Sequence, residues 1–167
     1  MAIEGLKPYA LLGGYDAAQL WPTVNLVLPG WLLLVIAPRW KYTPMITLVG
    51  PIIHAVMYSL GAISHFTDDG GDAPEVDFSS LESIVNLFKD PNGVFIGWLH
   101  YLVYDALVGR WIALDSVQRG CSTLIHVLVI VPCLFLALMF GPMGWLLYVV
   151  VVRKFVLPGG GAKAKNS

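Results

Sequence analysis

Gly97-Trp98-Leu99-His100-Tyr101-Leu102-Val103-Tyr104-Asp105-Ala106-Leu107-Val108-Gly109-Arg110-Trp111 decides how the rest of the chain is read. The stretch is apolar enough to enter a bilayer. It nevertheless carries a histidine, a carboxylate and an arginine within about three helical turns. A charged group at the centre of a membrane helix costs about 2.5–3.5 kcal/mol on insertion scales, so such groups usually face protein and often function.

Composition points the same way. The 167 residues are 57% hydrophobic and only 13% charged, and the mean hydropathy is +0.71. A soluble domain is about a quarter charged. This chain has too little charge to cover a water-facing surface. A net charge of -1 leaves no basic footprint, so a nucleic-acid partner is not expected. The lipid bilayer is the expected surrounding. Met1 to Leu20 includes Glu4 and Asp16 and lacks a basic start, so it reads as neither a signal peptide nor a transit peptide. Cys121 and Cys133, if on one helix, lie about 18 Å apart along its axis. That is beyond the reach of a disulfide, so both are expected to be packing residues.

Four apolar segments are visible, at 18–37, 44–63, 94–114 and 123–152. A crossing needs about 20 residues. The spacing predicts an all-α integral membrane bundle of four transmembrane helices over 18–154, with an N-terminal segment at 1–17. The last apolar segment is too long for one crossing and is expected to kink or break at Gly141-Pro142; a hairpin there, the alternative, would move the C-terminus to the opposite side. The tail from Pro158 is flexible by composition. The Gly-rich acidic stretch around Asp68, Asp69, Asp72, Glu75 and Asp77 lacks calcium-loop spacing and reads as a solvated loop. Ser79 and Glu82 have the spacing of a capping box. Leu81, Ile84, Val85 and Phe88 then form one apolar face. They predict a short amphipathic interfacial helix from about Ser80 to Lys89.

On a regular helix His100, Tyr104, Trp111 and Asp115 share one side of the third segment, and Tyr101 and Asp105 another, about 140° away. Polar groups on two sides predict that this helix is the most buried, with His100 and Asp105 both facing protein. His100 reads as a core histidine, a proton-transfer group or a ligand to a pigment magnesium. Asp105 reads as half of a structural pair or as an acid-base group. The second segment carries His54, Tyr58 and Gly61 on one stripe, with His65 beyond it. That stripe is expected to pack on the third segment with Gly61 at the close approach. Asn25, Pro29 and Gly30 loosen the first segment. Trp31 and Trp98 are either packing residues or walls of a flat apolar cleft. No phosphate loop, dinucleotide fingerprint, nucleophile elbow or zinc spacing is present.

Several motifs resemble one family. Phe78-Ser79-Ser80-Leu81-Glu82-Ser83-Ile84-Val85-Asn86-Leu87-Phe88, the opening stretch 97–111, Asp115-Ser116, His126 and Phe140-Gly141-Pro142-Met143-Gly144-Trp145-Leu146-Leu147-Tyr148 follow in family order. Over about Val24 to Tyr148 the chain is similar to the neoxanthin synthase-like family, named after a plant abscisic-acid-deficiency membrane protein. The resemblance implies a photosynthetic membrane, either plastid (thylakoid or envelope) or cyanobacterial-type. It also implies a xanthophyll as substrate and conversion of the violaxanthin-to-neoxanthin kind.

That reaction turns an epoxide into an allenic alcohol. It is an isomerisation that requires an acid, a base and no redox cofactor or metal. His100, Asp105 and His54 are the expected catalytic residues. Trp98, Trp31, Tyr58 and Tyr104 are the expected substrate contacts. The alternative is a non-catalytic pigment-binding or assembly subunit, with a bound carotenoid or chlorophyll and photosystem or light-harvesting subunits as partners. An enzyme should converge two titratable groups on one cleft. A scaffold should pair them off and present an aromatic outer face.

Overall fold

The computed structural model describes residues 3–67 and 76–158. All regular structure among them is helical: α1 (Ala17–Leu20), α2 (Leu28–Ile36), α3 (Thr43–Ile46), α4 (Val49–Phe66), α5 (Leu81–Leu87), α6 (Pro91–Gln118), α7 (Thr123–Ile125), α8 (Val131–Phe140) and α9 (Pro142–Leu147). Short 3-10 segments at Ala10–Leu12 and Trp21–Val27 and π-helical segments at His126–Ile130 and Tyr148–Val156 complete it. The acidic residues Asp68, Asp69, Asp72 and Glu75 and the tail from Gly159 lie outside the described residues.

Among the described residues three stretches are long and apolar enough to cross a membrane: Ala10–Ile36, Thr43–Phe66 and Thr123–Phe140. The expected count of four is therefore three on this measure. α6 has the length, at 28 residues. Its Asp105, Arg110 and Asp115 lower its apolarity, and it is not among the three.

The chain divides into two compact units, Met1–Asn25 with Ile52–Val103 and Leu26–Pro51 with Tyr104–Ser167. In the first unit the N-terminal segment is a structural part of the core. Tyr9 is 2% exposed, and its hydroxyl donates to the Asn92 carbonyl at 2.9 Å. The Asn92 amide in turn donates to the Lys7 carbonyl at 3.1 Å. Tyr9, Ala17, Phe95, Ile96 and Leu99 form the buried cluster, with Val24, Met57, Tyr58 and Leu102 packed around it. Gly61 sits against Leu12 and Ile96, which realises the expected close approach of the second and third segments. In lipid such contacts must come from close packing, because hydrocarbon tails are as apolar as leucine.

A capping box does occur in this unit, at Asp16 and Gln19, with both bonds formed at 2.9 and 3.0 Å. The box expected at Ser79 and Glu82 is shifted. Asp77 Oδ1 takes both the amide and the hydroxyl of Ser79, at 2.8 and 2.6 Å. The N-cap role passes to Ser80, which accepts from the Ser83 amide. α5 is accordingly Leu81–Leu87, shorter than the expected helix to Lys89.

In the second unit, side chains serve backbone carbonyls near the helix ends. The Thr43 hydroxyl donates to Ala37 O at 2.6 Å and that of Thr47 to Thr43 O at 2.7 Å. His126 Nε2 donates to Val35 O at 3.0 Å. Arg39 donates to Cys121 O, and Arg110 places Nε and Nη2 on Pro44 O at 3.1 and 2.8 Å. Unmet carbonyls in hydrocarbon cost several kcal/mol each, so these contacts explain polar residues in an apolar sequence. α6 stops at Gly120, whose φ of +76° lets Gly120 N reach Val117 O and Cys121 N reach Ser116 O. Cys121 and Cys133 are both free and buried, as expected.

At Gly141 the chain does more than kink. A Cβ on Gly144 would strike the backbone of Cys133 and Ala137, so α9 doubles back along α8. Gly141 has φ +45°, a value that side chains disfavour. Gly109 carries the indole of Trp31 where a Cβ would stand. Replacing Gly109 with Ala should therefore destabilise the protein by about 1–3 kcal/mol through overpacking. Thermal unfolding in detergent reads this directly; an unchanged midpoint would show that the indole has room to move.

Candidate functional site

The first unit holds a cleft of about 310 Å³, near the lower end of small-molecule sites. Its walls come from α4, α5 and α6 and are mostly aromatic and aliphatic. Phe66, Phe78, Phe88 and Ile96 supply apolar surface, while Tyr58, His65, His100 and Tyr101 supply polar atoms. α5 reaches the cleft because Gly97 has no side chain. A Cβ there would lie 2.8 Å from the Phe88 ring.

The centre of the polar wall is an edge-to-face pair. The rings of Tyr58 and His100 lie 5.4 Å apart at 61°. His100 also meets Tyr101, at 6.3 Å and 90°. His65, at another part of the cleft, lies 3.4 Å from Asp90. Histidine, tyrosine and an apolar wall are the elements that acid-base chemistry on a hydrophobic substrate requires.

The other expected site residues are placed as follows. His54 is fully buried, and its Nε2 donates to the Thr23 carbonyl at 2.9 Å. That is the contact of a structural histidine where 3-10 geometry leaves a carbonyl to be met. His54 does not line the cleft, and neither does Asp105. Asp105 belongs to the second unit, with Oδ1 only 2.6 Å from where a Gly141 Cβ would stand. Trp31 is 6% exposed, packed on Gly109, and forms core. Trp98 is 47% exposed, with its ring 5.9 Å from Trp21. Tyr104 is exposed. His100 is also exposed, against the expectation that it would face protein throughout. The cleft opens beside it, and an open face is what a ligand requires. α6 does carry buried residues along its length, from Asn92 to Ser116.

A second cluster was not anticipated. Asp115 accepts from Arg119 Nε at 2.8 Å, Tyr148 Oη at 2.5 Å and Arg153 Nε at 3.1 Å, and Arg153 Nη2 reaches its other oxygen at 3.3 Å. Trp111 stacks its edge on Tyr148 at 5.4 Å, with the Arg153 guanidinium 5.5 Å from its ring. Burial would raise the Asp115 carboxyl, but the hydrogen bonds from Tyr148, Arg119 and Arg153 outweigh it and hold the group below its ordinary value. This cluster joins α6 to the segment after the Gly141 turn. Among the described residues no group of His, Cys, Asp and Glu is arranged to hold a metal ion.

The described residues define a small, all-helical protein with helices able to cross a membrane and an aromatic cleft lined by His65 and His100. The profile of the family described as ABA DEFICIENT 4-like matches residues 19–148. The chain belongs to that family. Comparison with curated proteins and with solved structures gave no match.

Proposed function

We propose that the protein binds one end ring of a xanthophyll in the Tyr58–His100 cleft and isomerises its epoxide to an allenic alcohol in a plant plastid membrane. The cleft itself is the observation that carries this reading. Its apolar walls suit a methylated ring, and its volume of about 310 Å³ suits a ring rather than a whole polyene. Two groups capable of proton transfer meet on one wall. The family membership supplies the substrate class.

In this reading the Tyr58 hydroxyl donates a proton to the epoxide oxygen as the carbon–oxygen bond opens. His100 takes a proton from the neighbouring polyene carbon, and the released electron pair completes the allene. One proton is gained and one lost, so the step is redox-neutral. The proton passes from His100 back to Tyr58, restoring both. α6 is the fourth crossing in this proposal, over 94–114, with His100 and Tyr101 lining the cleft and Arg110 held by the Pro44 carbonyl. His54 acts as a positioning residue through its bond to the Thr23 carbonyl.

The second reading, a pigment-binding or assembly subunit, is favoured by a different observation. Trp98 and Tyr101 are exposed at 47% and 57% and stand three residues apart on one helix face, as a partner-facing aromatic patch would. Expression in a carotenoid-producing host that accumulates violaxanthin, followed by pigment chromatography, separates the two. A new allenic product supports the isomerase. Violaxanthin that co-purifies with the protein and stays unchanged supports the subunit.

A further inference from the structure

The second unit contains another cleft, of about 480 Å³, whose chemistry differs from that of the first. It lies where the turn between α2 and α3 meets the C-terminal part of α6. Arg39, Lys41 and Arg110 line it together with Trp40, Trp111 and Asp115. Asp115 is the one carboxylate of the lining among the described residues, and its charge is already engaged by Arg119 and Arg153. The three cations of the lining have different contacts. Arg110 and Arg39 donate to carbonyls, and Lys41 stands 4.7 Å over the Tyr42 ring. Carbonyls and rings orient a cation without cancelling its charge. The cleft is therefore net positive.

We propose that this cleft binds the headgroup of an anionic lipid, with Arg39, Lys41 and Arg110 supplying the charge and Trp40 and Trp111 the amphipathic walls. Position favours a lipid over a soluble anion. The turn at 37–42 connects two stretches that are each able to cross a membrane, which puts it at headgroup depth. Trp40 packs edge-on against Tyr42 at 5.2 Å, and tryptophan and tyrosine concentrate at that depth. A basic pocket beside helix ends is the expected form of a headgroup site. This inference is independent of the xanthophyll reading, which concerns other residues in the other unit.

The test uses the full chain purified in a neutral detergent. Thermal unfolding is followed while short-chain phosphatidylglycerol, short-chain phosphatidylcholine or inorganic phosphate is titrated in. Phosphatidylglycerol should raise the midpoint in a saturable way, weakly or not at all at high salt. Phosphatidylcholine should not. Lys41→Gln, at an exposed position where folding is not at risk, should weaken the phosphatidylglycerol response about fivefold, the worth of one basic side chain near a charged surface. Lys89→Gln, which lies outside this cleft, should leave it unchanged. Equal responses to the two lipids, or to phosphatidylglycerol in both variants, would overturn the proposal. A response to inorganic phosphate as strong as that to phosphatidylglycerol would reassign the cleft to a free anion and overturn the lipid assignment.

Discussion

A His100→Gln protein should lose xanthophyll conversion by about 10²–10⁴-fold, the usual contribution of a positioned acid-base group, while still binding the pigment. Glutamine keeps the size and hydrogen-bonding character of the imidazole but cannot take a proton from carbon. The Tyr58→Phe variant removes the proposed donor and leaves the ring that packs on His100 at 5.4 Å. It should fall in the same direction. The informative contrast is His54→Gln. His54 Nε2 holds the Thr23 carbonyl, so this change should lower thermal stability and yield but leave turnover per folded molecule intact. Product chromatography normalised to folded protein reads all three. Full turnover by His100→Gln would remove the catalytic assignment and leave the binding reading in its place.

The Asp115→Ala change should lower stability by about 1–3 kcal/mol, because the donors of three side chains, Arg119, Tyr148 and Arg153, are left without their acceptor. Arg119 and Arg153 would then repel one another across the vacated position. The effect depends on pH with a fixed sign. The folded-state carboxyl is held below its ordinary value, so the network contributes fully above pH about 4. Its contribution is lost as pH falls through the lowered folded value. Unfolding midpoints measured from neutral to acid pH should therefore converge for the wild-type and Asp115→Asn proteins at low pH and separate at neutral pH. A constant gap at every pH would mean that the charge of Asp115 is not what holds the segment.

Much of the helical layout was legible from residue types alone. Apolar runs located the long helices, and Tyr58 and Gly61 of the predicted stripe do meet the third segment, at His100 and Ile96, while His54 of the same stripe bonds Thr23 of the first segment instead. What escaped were contacts set by the path of the chain. Asp115 stood in the sequence as one more polar residue near a helix end. Its partners are 33 and 38 residues away, on a segment that comes alongside only because Gly141 turns it back. Of the two readings of Gly141-Pro142, the hairpin is the one that brings Tyr148 and Arg153 back to Asp115. Trp31, which reads as either packing residue or cleft wall, could not be placed for a related reason. An exposed indole and a buried one are written identically, and the glycine that makes room for it is Gly109, far along the chain. The Ser79 cap failed on a nearer competitor, since Asp77 offered a stronger acceptor two residues earlier.

The reversal at Gly141 also governs how reporter fusions should be interpreted. A tag joined after Leu157 follows a segment that has travelled back to Asp115 through Tyr148 and Arg153, so it should report the same compartment as the 37–42 turn. A tag inserted at Phe140–Pro142 reports the far end of α8 instead. The reversal brings Arg153 to Asp115 beside Arg119, and Asp115 lines a cleft with Arg39 and Lys41. Basic residues flanking short membrane segments are retained on the side of synthesis. Protease protection of a tag after Leu157 should thus match that of one in the 37–42 turn, both facing the side from which the protein was inserted.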